Sequence, residues 1–224
     1  MTERSLLRRL GHLWRRLFGR YELDDPRPVA AENPYTYFLP SAEQLAALDV
    51  GDDVKLIFRS VPRAPGWGAE RMWVRITDIA PEGLAGELNN DPSDMPQLKV
   101  GAEVRFQPWH VIDIEWSDPA KAEQFPAHDD GLVWDRCMVD AAIVEDGARV
   151  GFLYRETPDL AGPDDRFPDS GWRIRAEDPG DRDPLYVALG LVLNRDDSIL
   201  PLLSEPIGVR FIRDPKSGAF VPER

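Results

Sequence analysis

The sequence predicts an α+β, mainly β protein with two small β-rich domains preceded by an amphipathic N-terminal helix. Three observations support this fold class. The 224 residues exceed the usual length of one domain, since about one domain per 150 residues is expected. Most of the chain consists of short β-branched and aromatic runs separated by Gly, Pro and Asp. Only the first 20 residues show a clear helical repeat.

In residues 1–20 the apolar side chains recur at helical spacing, and the arginines fall mostly on the opposite face. Ser5 is the predicted N-cap and Gly19 the predicted end. Such a helix docks on the protein's own domains or on a second copy, lies on an anionic membrane surface, or enters a groove of a partner. The sequence leaves these alternatives open. The residues concerned are Leu6, Leu7, Leu10, Leu13, Trp14, Leu17 and Phe18, with Arg4, Arg8, Arg9, Arg15, Arg16 and Arg20.

Residues 21–40 contain four prolines among acidic and small residues and are predicted to form an extended linker. Ser41 and Gln44 have the spacing of a capping box, which predicts a short helix at the start of the first domain, 41–117. Alternation of apolar and polar residues then predicts five strands of a small barrel or curved sheet. These strands are Val54–Ser60, Arg71–Ile79, Leu84–Asn89, Val104–Gln107 and Val111–Trp116.

A second Pro-containing linker is predicted at 118–130, followed by a β-rich domain at 131–224. We expect Cys137–Val144 and Arg149–Arg155 to form a hairpin that turns at Asp146 and Gly147. The remaining predicted elements are a strand at Gly171–Ala176, an apolar segment of undecided type at Tyr186–Leu193, a helical turn at Ser198–Leu203 and a closing strand at Ile207–Arg213.

Charge is distributed unevenly along the chain. Residues 1–20 carry +5, from six Arg against Glu3, and the whole chain carries −13, so the remainder carries −18. An acidic body of this kind repels nucleic acid and attracts basic proteins. No apolar stretch approaches the roughly 20 residues needed to cross a bilayer, and no secretory signal is present. We therefore expect a cytoplasmic protein, with the inner membrane surface as the alternative address.

Cofactor, metal and catalytic motifs are not recognisable in the sequence. One cysteine and three histidines provide no zinc-ligand cluster, and Cys137, in an apolar run, is expected to be a buried structural thiol. The acidic loops 89–94 and 159–170 lack the ligand spacing of a calcium loop. Ser170 lacks the Gly-x-Ser-x-Gly setting of a hydrolase nucleophile. We predict no cofactor, no metal and no enzyme activity.

Two segments of the chain resemble known bacterial families. Glu70–Val74, Gly86–Pro92 and Gly101–Phe106 make residues 45–116 similar to domain of unknown function 2314, which implies a compact β-rich module. Gly151–Glu156, Asp169–Trp172 and Pro206–Arg213 make residues 134–222 resemble immunity protein family 33 of polymorphic toxin systems, also catalogued as domain of unknown function 2185. The second resemblance implies a protein that neutralises a toxin by direct binding, without catalytic residues.

Three functional hypotheses follow. The first is an immunity or immunity-like protein that binds a basic toxin, and its candidate contact residues are Trp67, Arg155, Glu156, Asp164, Asp165, Asp169, Ser170 and Trp172. Trp67 alternatively folds back over the end of the first domain. The second is a peripheral membrane adaptor that uses residues 1–20. The third is an unrecognised enzyme built on Arg155, Glu156, Asp169 and Ser170, and a homo-oligomer is compatible with all three.

Overall fold

The computed structural model describes residues 12–63, 66, 68–126, 131–160, 162 and 165–223. The chain divides into two compact units. Unit 1 comprises residues 1–31 and 38–127, and unit 2 comprises residues 32–37 and 128–224. Within the described ranges each unit holds one six-stranded sheet. The predicted mainly β fold class with two β-rich domains is therefore confirmed, as is a short N-terminal helix, which spans residues 12–18.

The sheet of unit 1 is a curled half-barrel in which every paired neighbour is antiparallel. Its strands follow the order β1-β2-β3-β4-β5, and β6 also pairs with β2. The strands are β1 (Arg20–Leu23), β2 (Asp53–Val61), β3 (Ala69–Ala80), β4 (Gly83–Leu88), β5 (Glu103–Phe106) and β6 (Asp113–Glu115). The accompanying helices are α1 (residues 12–18), α2 (Arg27–Glu32), α3 (Ala42–Ala46) and α4 (Pro119–Gln124), with a 3₁₀ turn at Pro108–His110.

Alternating apolar residues of β2 and β3 form the centre of the unit 1 core. Val54 and Leu56 have no exposed surface, and they pair in register with Val74 and Met72. Side chains two residues apart on a strand share a face, so the period-2 pattern places all four on the concave side. The same pattern explains why all five strands predicted for this domain are present. The capping box at Ser41 is also present, with both reciprocal hydrogen bonds.

The predicted linkers contain regular structure. Within 21–40, β1 pairs with β2, and α2 begins directly after Pro26. Pro28 lies in the first turn of α2, where a missing backbone N–H costs nothing, and this explains why a Pro-rich composition did not exclude a helix. Within 118–130, α4 begins at Pro119 and Asp118 caps it. Residues 127–130 lie outside the described part of the chain.

Unit 2 contains a mixed sheet with the order β10-β7-β9-β8-β11-β12. Strand β7 runs parallel to β9, and the other paired strands are antiparallel. The strands are β7 (Arg136–Val139), β8 (Val150–Arg155), β9 (Asp169–Ala176), β10 (Leu185–Ala188), β11 (Arg210–Arg213) and β12 (Phe220–Pro222). The helices are α5 (Gly131–Trp134), α6 (Ala141–Asp146) and α7 (Leu189–Leu193), with a 3₁₀ turn at Asp197–Leu202.

The prediction that Cys137–Val144 and Arg149–Arg155 form a hairpin is wrong. Strand β7 ends at Val139, α6 follows it, and β9 lies between β7 and β8 in the sheet. A short apolar run has no period that distinguishes strand from helix, so the change at Asp140 was not visible. Gly147, at φ +71°, ends α6 as a left-handed cap instead of turning a hairpin. The predicted closing strand is also not the last one, because β12 pairs with β11 beyond it.

Residues 32–37 pack against the remainder of unit 2, at α7 and at Asn194 directly after it. The Tyr35 backbone N–H donates to Asn194 Oδ1 at 2.9 Å, and Asn194 Nδ2 donates to Thr36 Oγ1 at 2.7 Å. A side chain at Gly190 would place its Cβ 2.7 Å from the Tyr35 carbonyl oxygen. Asn194 and Gly190 therefore hold this segment closely against the helix.

Replacing Asn194 by Ala is expected to release residues 32–37 from unit 2. The variant loses both hydrogen bonds and leaves the Tyr35 N–H without its acceptor, which costs about 1–3 kcal/mol. We expect faster hydrogen exchange at the Tyr35 amide. Tyr35→Phe is the control, because it removes only the exposed 3.2 Å bond from the Tyr35 hydroxyl to Asp197. Unchanged exchange in Asn194→Ala would show that the side chain does not anchor the segment.

Candidate functional site

The guanidinium of Arg173, on β9, is surrounded by three carboxylates. Its Nη1 and Nη2 donate to the two oxygens of Asp169, each at 2.9 Å. Nε donates to Glu156 Oε1 at 2.5 Å, and Nη2 also donates to Asp159 Oδ1 at 3.1 Å. We call these four residues the Arg173 cluster. The bidentate pairing with Asp169 fixes the plane of the guanidinium and therefore the positions of the two other carboxylates.

The cluster has a buried base and an exposed rim. The side chains of Arg173 and Asp169 are 3% and 0% exposed, whereas those of Glu156 and Asp159 are 44% and 70% exposed. Three carboxylates against one guanidinium leave a net negative charge, and it lies on the exposed rim. A cationic group of a partner can reach the rim without disturbing the buried pair.

Asp169 remains ionised to low pH. Burial of the carboxyl alone would raise its pKa, but the hydrogen bonds from Arg173 and from the backbone N–H groups of Gly171, Leu160 and Asp159 lower it to about 2. The hydrogen bond to Asp169 in turn raises the pKa of Arg173. Burial lowers that pKa, and the hydrogen bond to Glu156 raises it further. The pair is therefore charged throughout the physiological range and acts as a fixed support rather than as a proton donor.

Each residue of the sequence Asp-Ser-Gly-Trp has a defined structural role. Asp169 Oδ1 accepts from the Gly171 N–H at 2.9 Å, and the Ser170 hydroxyl donates to the Arg136 carbonyl at 2.7 Å. Gly171 has φ +79°, and a Cβ there would lie 2.2 Å from the Glu156 carbonyl oxygen. Trp172 has no exposed surface. The motif thus joins β9 to its two neighbours, β7 and β8.

The structure corrects the partner-facing role predicted for three of these residues. Asp169, Ser170 and Trp172 are buried, so their side chains cannot contact a partner. Glu156 and Asp165 have exposed surface, and Asp165 Oδ2 accepts from the Gly162 N–H at 2.8 Å. Trp67 and Asp164 lie outside the described residues.

In the described part of the chain, the Arg155 guanidinium donates to two backbone carbonyls. Its Nε donates to the Ser170 carbonyl at 3.0 Å, and its Nη1 donates to the Glu205 carbonyl at 2.6 Å. Of the four residues suggested for an enzyme, Glu156 and Asp169 share the Arg173 guanidinium, and Arg155 donates to the Ser170 carbonyl. The Ser170 hydroxyl donates to the Arg136 carbonyl, so these contacts are structural. A cleft of about 540 Å³ in unit 2 has none of these four residues in its lining.

Arg173 and Asp159 were missed by sequence reasoning. Asp169 and Arg173 are four residues apart on β9, about 13 Å in a regular strand. The pairing of β9 with β7 shifts register between them, and the two side chains meet at this irregularity. The predicted strand began at Gly171, so no signal in the sequence indicated that Asp169 and Arg173 meet. Asp159 gave no signal either, because its position depends on the path of the loop after β8.

Cys137 is a buried structural thiol. It has no exposed surface, and burial raises its pKa to about 12, so it stays protonated and unreactive at neutral pH. Among the described residues, no group of three or more His, Cys, Asp or Glu is placed to hold a metal ion. The described helices are all too short or too polar to span a membrane.

The described part of the N-terminal helix turns its apolar residues away from the protein. Leu13, Trp14, Leu17 and Phe18 are exposed, whereas Arg15 is buried. Arg16 is exposed. The other residues predicted for this helix surface, Leu6, Leu10, Arg8 and Arg9, precede the described residues, as does the predicted cap Ser5.

Part of the chain matches a family model. Residues 137–222 match a family described as the Immunity protein Imm33 domain. The match begins in β7 and ends with β12, so it contains the Arg173 cluster. No curated protein and no solved structure matches the chain. Unit 2 is thus similar to an immunity protein domain, and the resemblance noted for residues 45–116 remains a prediction.

Proposed function

We propose that this protein is a non-enzymatic immunity protein that neutralises a basic toxin by binding it. The observation that carries this proposal is the match of residues 137–222 to the Imm33 immunity domain. A protein partner, the toxin, is what such a domain implies.

The exposed rim of the Arg173 cluster is the proposed contact surface. Glu156 and Asp159 are held by hydrogen bonds to the buried guanidinium at 2.5 and 3.1 Å, so they are already ordered before a partner arrives. Preorganised groups lose less conformational entropy on binding than mobile surface side chains do. Asp165, also exposed, extends the acidic surface along the same loop.

Charge favours a basic toxin as the occupant of this surface. Outside residues 1–20 the chain carries −18, which accelerates the approach of a cationic protein. Toxins that act on nucleic acid have cationic active sites, because these sites bind phosphates. An acidic surface that covers such a site blocks the substrate without any chemistry.

Reversing the rim charges is expected to slow toxin association. The double variant Glu156→Lys/Asp159→Lys should lower the association rate constant for the basic toxin by about 10- to 100-fold at low ionic strength. The difference should shrink as salt is added. Surface plasmon resonance over a salt series measures both effects.

The matched control is Asp178→Lys/Asp181→Lys, which makes the same change in net charge at exposed positions after β9. Equal loss in the two variants would mean that overall charge matters and the rim does not. A toxin that binds neither the wild type nor the control, and stays toxic on co-expression, would contradict the proposed function itself.

A further inference from the structure

The N-terminal helix α1 is attached to unit 1 by an arginine and not by its apolar face. Arg15 Nη1 donates to the Asp94 carbonyl at 2.7 Å, and Nη2 donates to Asp94 Oδ1 at 2.8 Å. Only 6% of the Arg15 side chain is exposed. The helix ends at Gly19, whose N–H donates to the Arg15 carbonyl at 2.7 Å. These contacts set which side of α1 faces outward.

That outward side is apolar. Leu13, Trp14, Leu17 and Phe18 are 53%, 52%, 66% and 65% exposed. At 100° per residue they occupy an arc of about 140° that does not include Arg15. The Trp14 and Phe18 rings are in contact, with centroids 5.8 Å apart, so the surface is continuous. Four large apolar side chains exposed together indicate a binding surface.

The charges around this surface select among its possible occupants. Arg16 is exposed at about 60° from Leu13 around the helix. Arg20 is exposed at the start of β1, directly after the helix, and residues 1–20 carry +5 in total. A second copy would bring two +5 segments together, and a basic toxin would likewise be repelled. Docking on the protein's own domains does not account for the apolar arc either, because its four side chains remain more than half exposed. An anionic lipid surface supplies negative headgroups above an apolar layer, and so matches both features.

We propose that α1 binds an anionic membrane surface, with Leu13, Trp14, Leu17 and Phe18 inserted and with Arg16 and Arg20 at the headgroups. The Arg15–Asp94 contact then holds unit 1 next to the bilayer. Two signals act together, an apolar face and basic residues, and stable peripheral binding generally requires two. This inference is independent of toxin binding by unit 2.

Vesicle co-sedimentation of the full chain tests the proposal. The probes are vesicles of phosphatidylcholine alone and vesicles with about one quarter phosphatidylglycerol. We expect binding to the anionic vesicles, weaker binding to the neutral ones, and weakening by salt. Leu17→Glu/Phe18→Glu should lower the partition coefficient for anionic vesicles by at least about tenfold, because it places charge in the apolar layer.

Val50→Glu/Val100→Glu is the matched control, since it adds the same two charges at similarly exposed apolar residues of unit 1 outside the helix, at 60% and 50%. It should bind vesicles as the wild type does. Equal sedimentation of Leu17→Glu/Phe18→Glu and wild type would overturn the proposal, as would equal binding to neutral and anionic vesicles. A dimer that this double variant abolishes, without any vesicle binding by the wild type, would assign the surface to a second copy instead.

Discussion

Replacing Arg173 by Met is expected to lower the free energy of unfolding of unit 2 by about 3–5 kcal/mol, because it leaves a buried carboxylate without its counter-charge. Asp169 is 4% exposed and loses both bonds of its bidentate pair. Glu156 and Asp159 also lose their shared donor, so three carboxylates repel one another across the vacated space. Urea denaturation followed by the indole NMR signal of Trp172 reports on unit 2 specifically.

The same variant should change the acid sensitivity of unit 2. The folded pKa of Asp169 is about 2, below its ordinary value of 3.8. The stabilisation from this carboxylate is therefore fully present above the ordinary value and is lost as pH falls through the folded pKa. Wild-type unit 2 should lose stability between about pH 4 and pH 2, and Arg173→Met should lose much less over that interval.

Arg182→Met is the control for Arg173→Met, because it removes an exposed arginine instead of a buried one. Arg182 forms ion pairs with Glu145 and Asp146, but all three side chains are about half exposed. Removal of exposed pairs of this kind costs at most about 1 kcal/mol. If Arg173→Met destabilised unit 2 no more than Arg182→Met does, the Arg173 cluster would not be the rigid support described above.

Replacing Gly171 by Ala is expected to be the second severe change, with a loss of at least about 3 kcal/mol, because steric overlap adds to backbone strain. The new Cβ would lie 2.2 Å from the Glu156 carbonyl oxygen, at φ +79°. The backbone has to move, which breaks the 2.9 Å bond from the Glu156 N–H to the Gly171 carbonyl. The pairing of β8 with β9 opens where the rim carboxylates are attached.

Gly147→Ala separates the cost of backbone strain from the cost of steric overlap. Gly147 also has a left-handed φ, +71°, but a Cβ there meets nothing within 4 Å. This variant should cost only about 1 kcal/mol, from backbone strain alone. Comparable destabilisation by the two substitutions, measured by the same denaturation experiment, would show that the close approach of Glu156 to Gly171 is unimportant.

The two units differ in how far the sequence predicts them. In unit 1 the strands β2 to β5 alternate apolar and polar residues and pair with their neighbours in sequence, so local pattern predicts them, whereas the pairings of β2 with β1 and with β6 are non-local. In unit 2 the parallel pairing of β7 with β9 is non-local, and the run that begins at Cys137 changes from strand to helix without a change in composition. Local pattern contains no information about either feature.

Three side chains that sequence reasoning predicted to face a partner, those of Asp169, Ser170 and Trp172, are buried in the structure. The sequence Asp-Ser-Gly-Trp was selected by family resemblance, and its Asp and Trp were expected to face a partner. Burial depends on tertiary contacts, such as the 3.4 Å bond from Trp172 Nε1 to the Leu203 carbonyl. Which carboxylates remain exposed follows from where the chain passes after β8, and a sequence motif does not determine that path.

Hydrogen exchange on a complex of this protein with the basic toxin proposed above as its partner tests the central claim most directly. Toxin binding through the exposed rim predicts new protection of the backbone amides at Glu156, Asp159 and Asp165, with little change in the edge strand β12. Protection confined to β12, or to unit 1, with the rim amides unchanged in the bound state, would contradict the account.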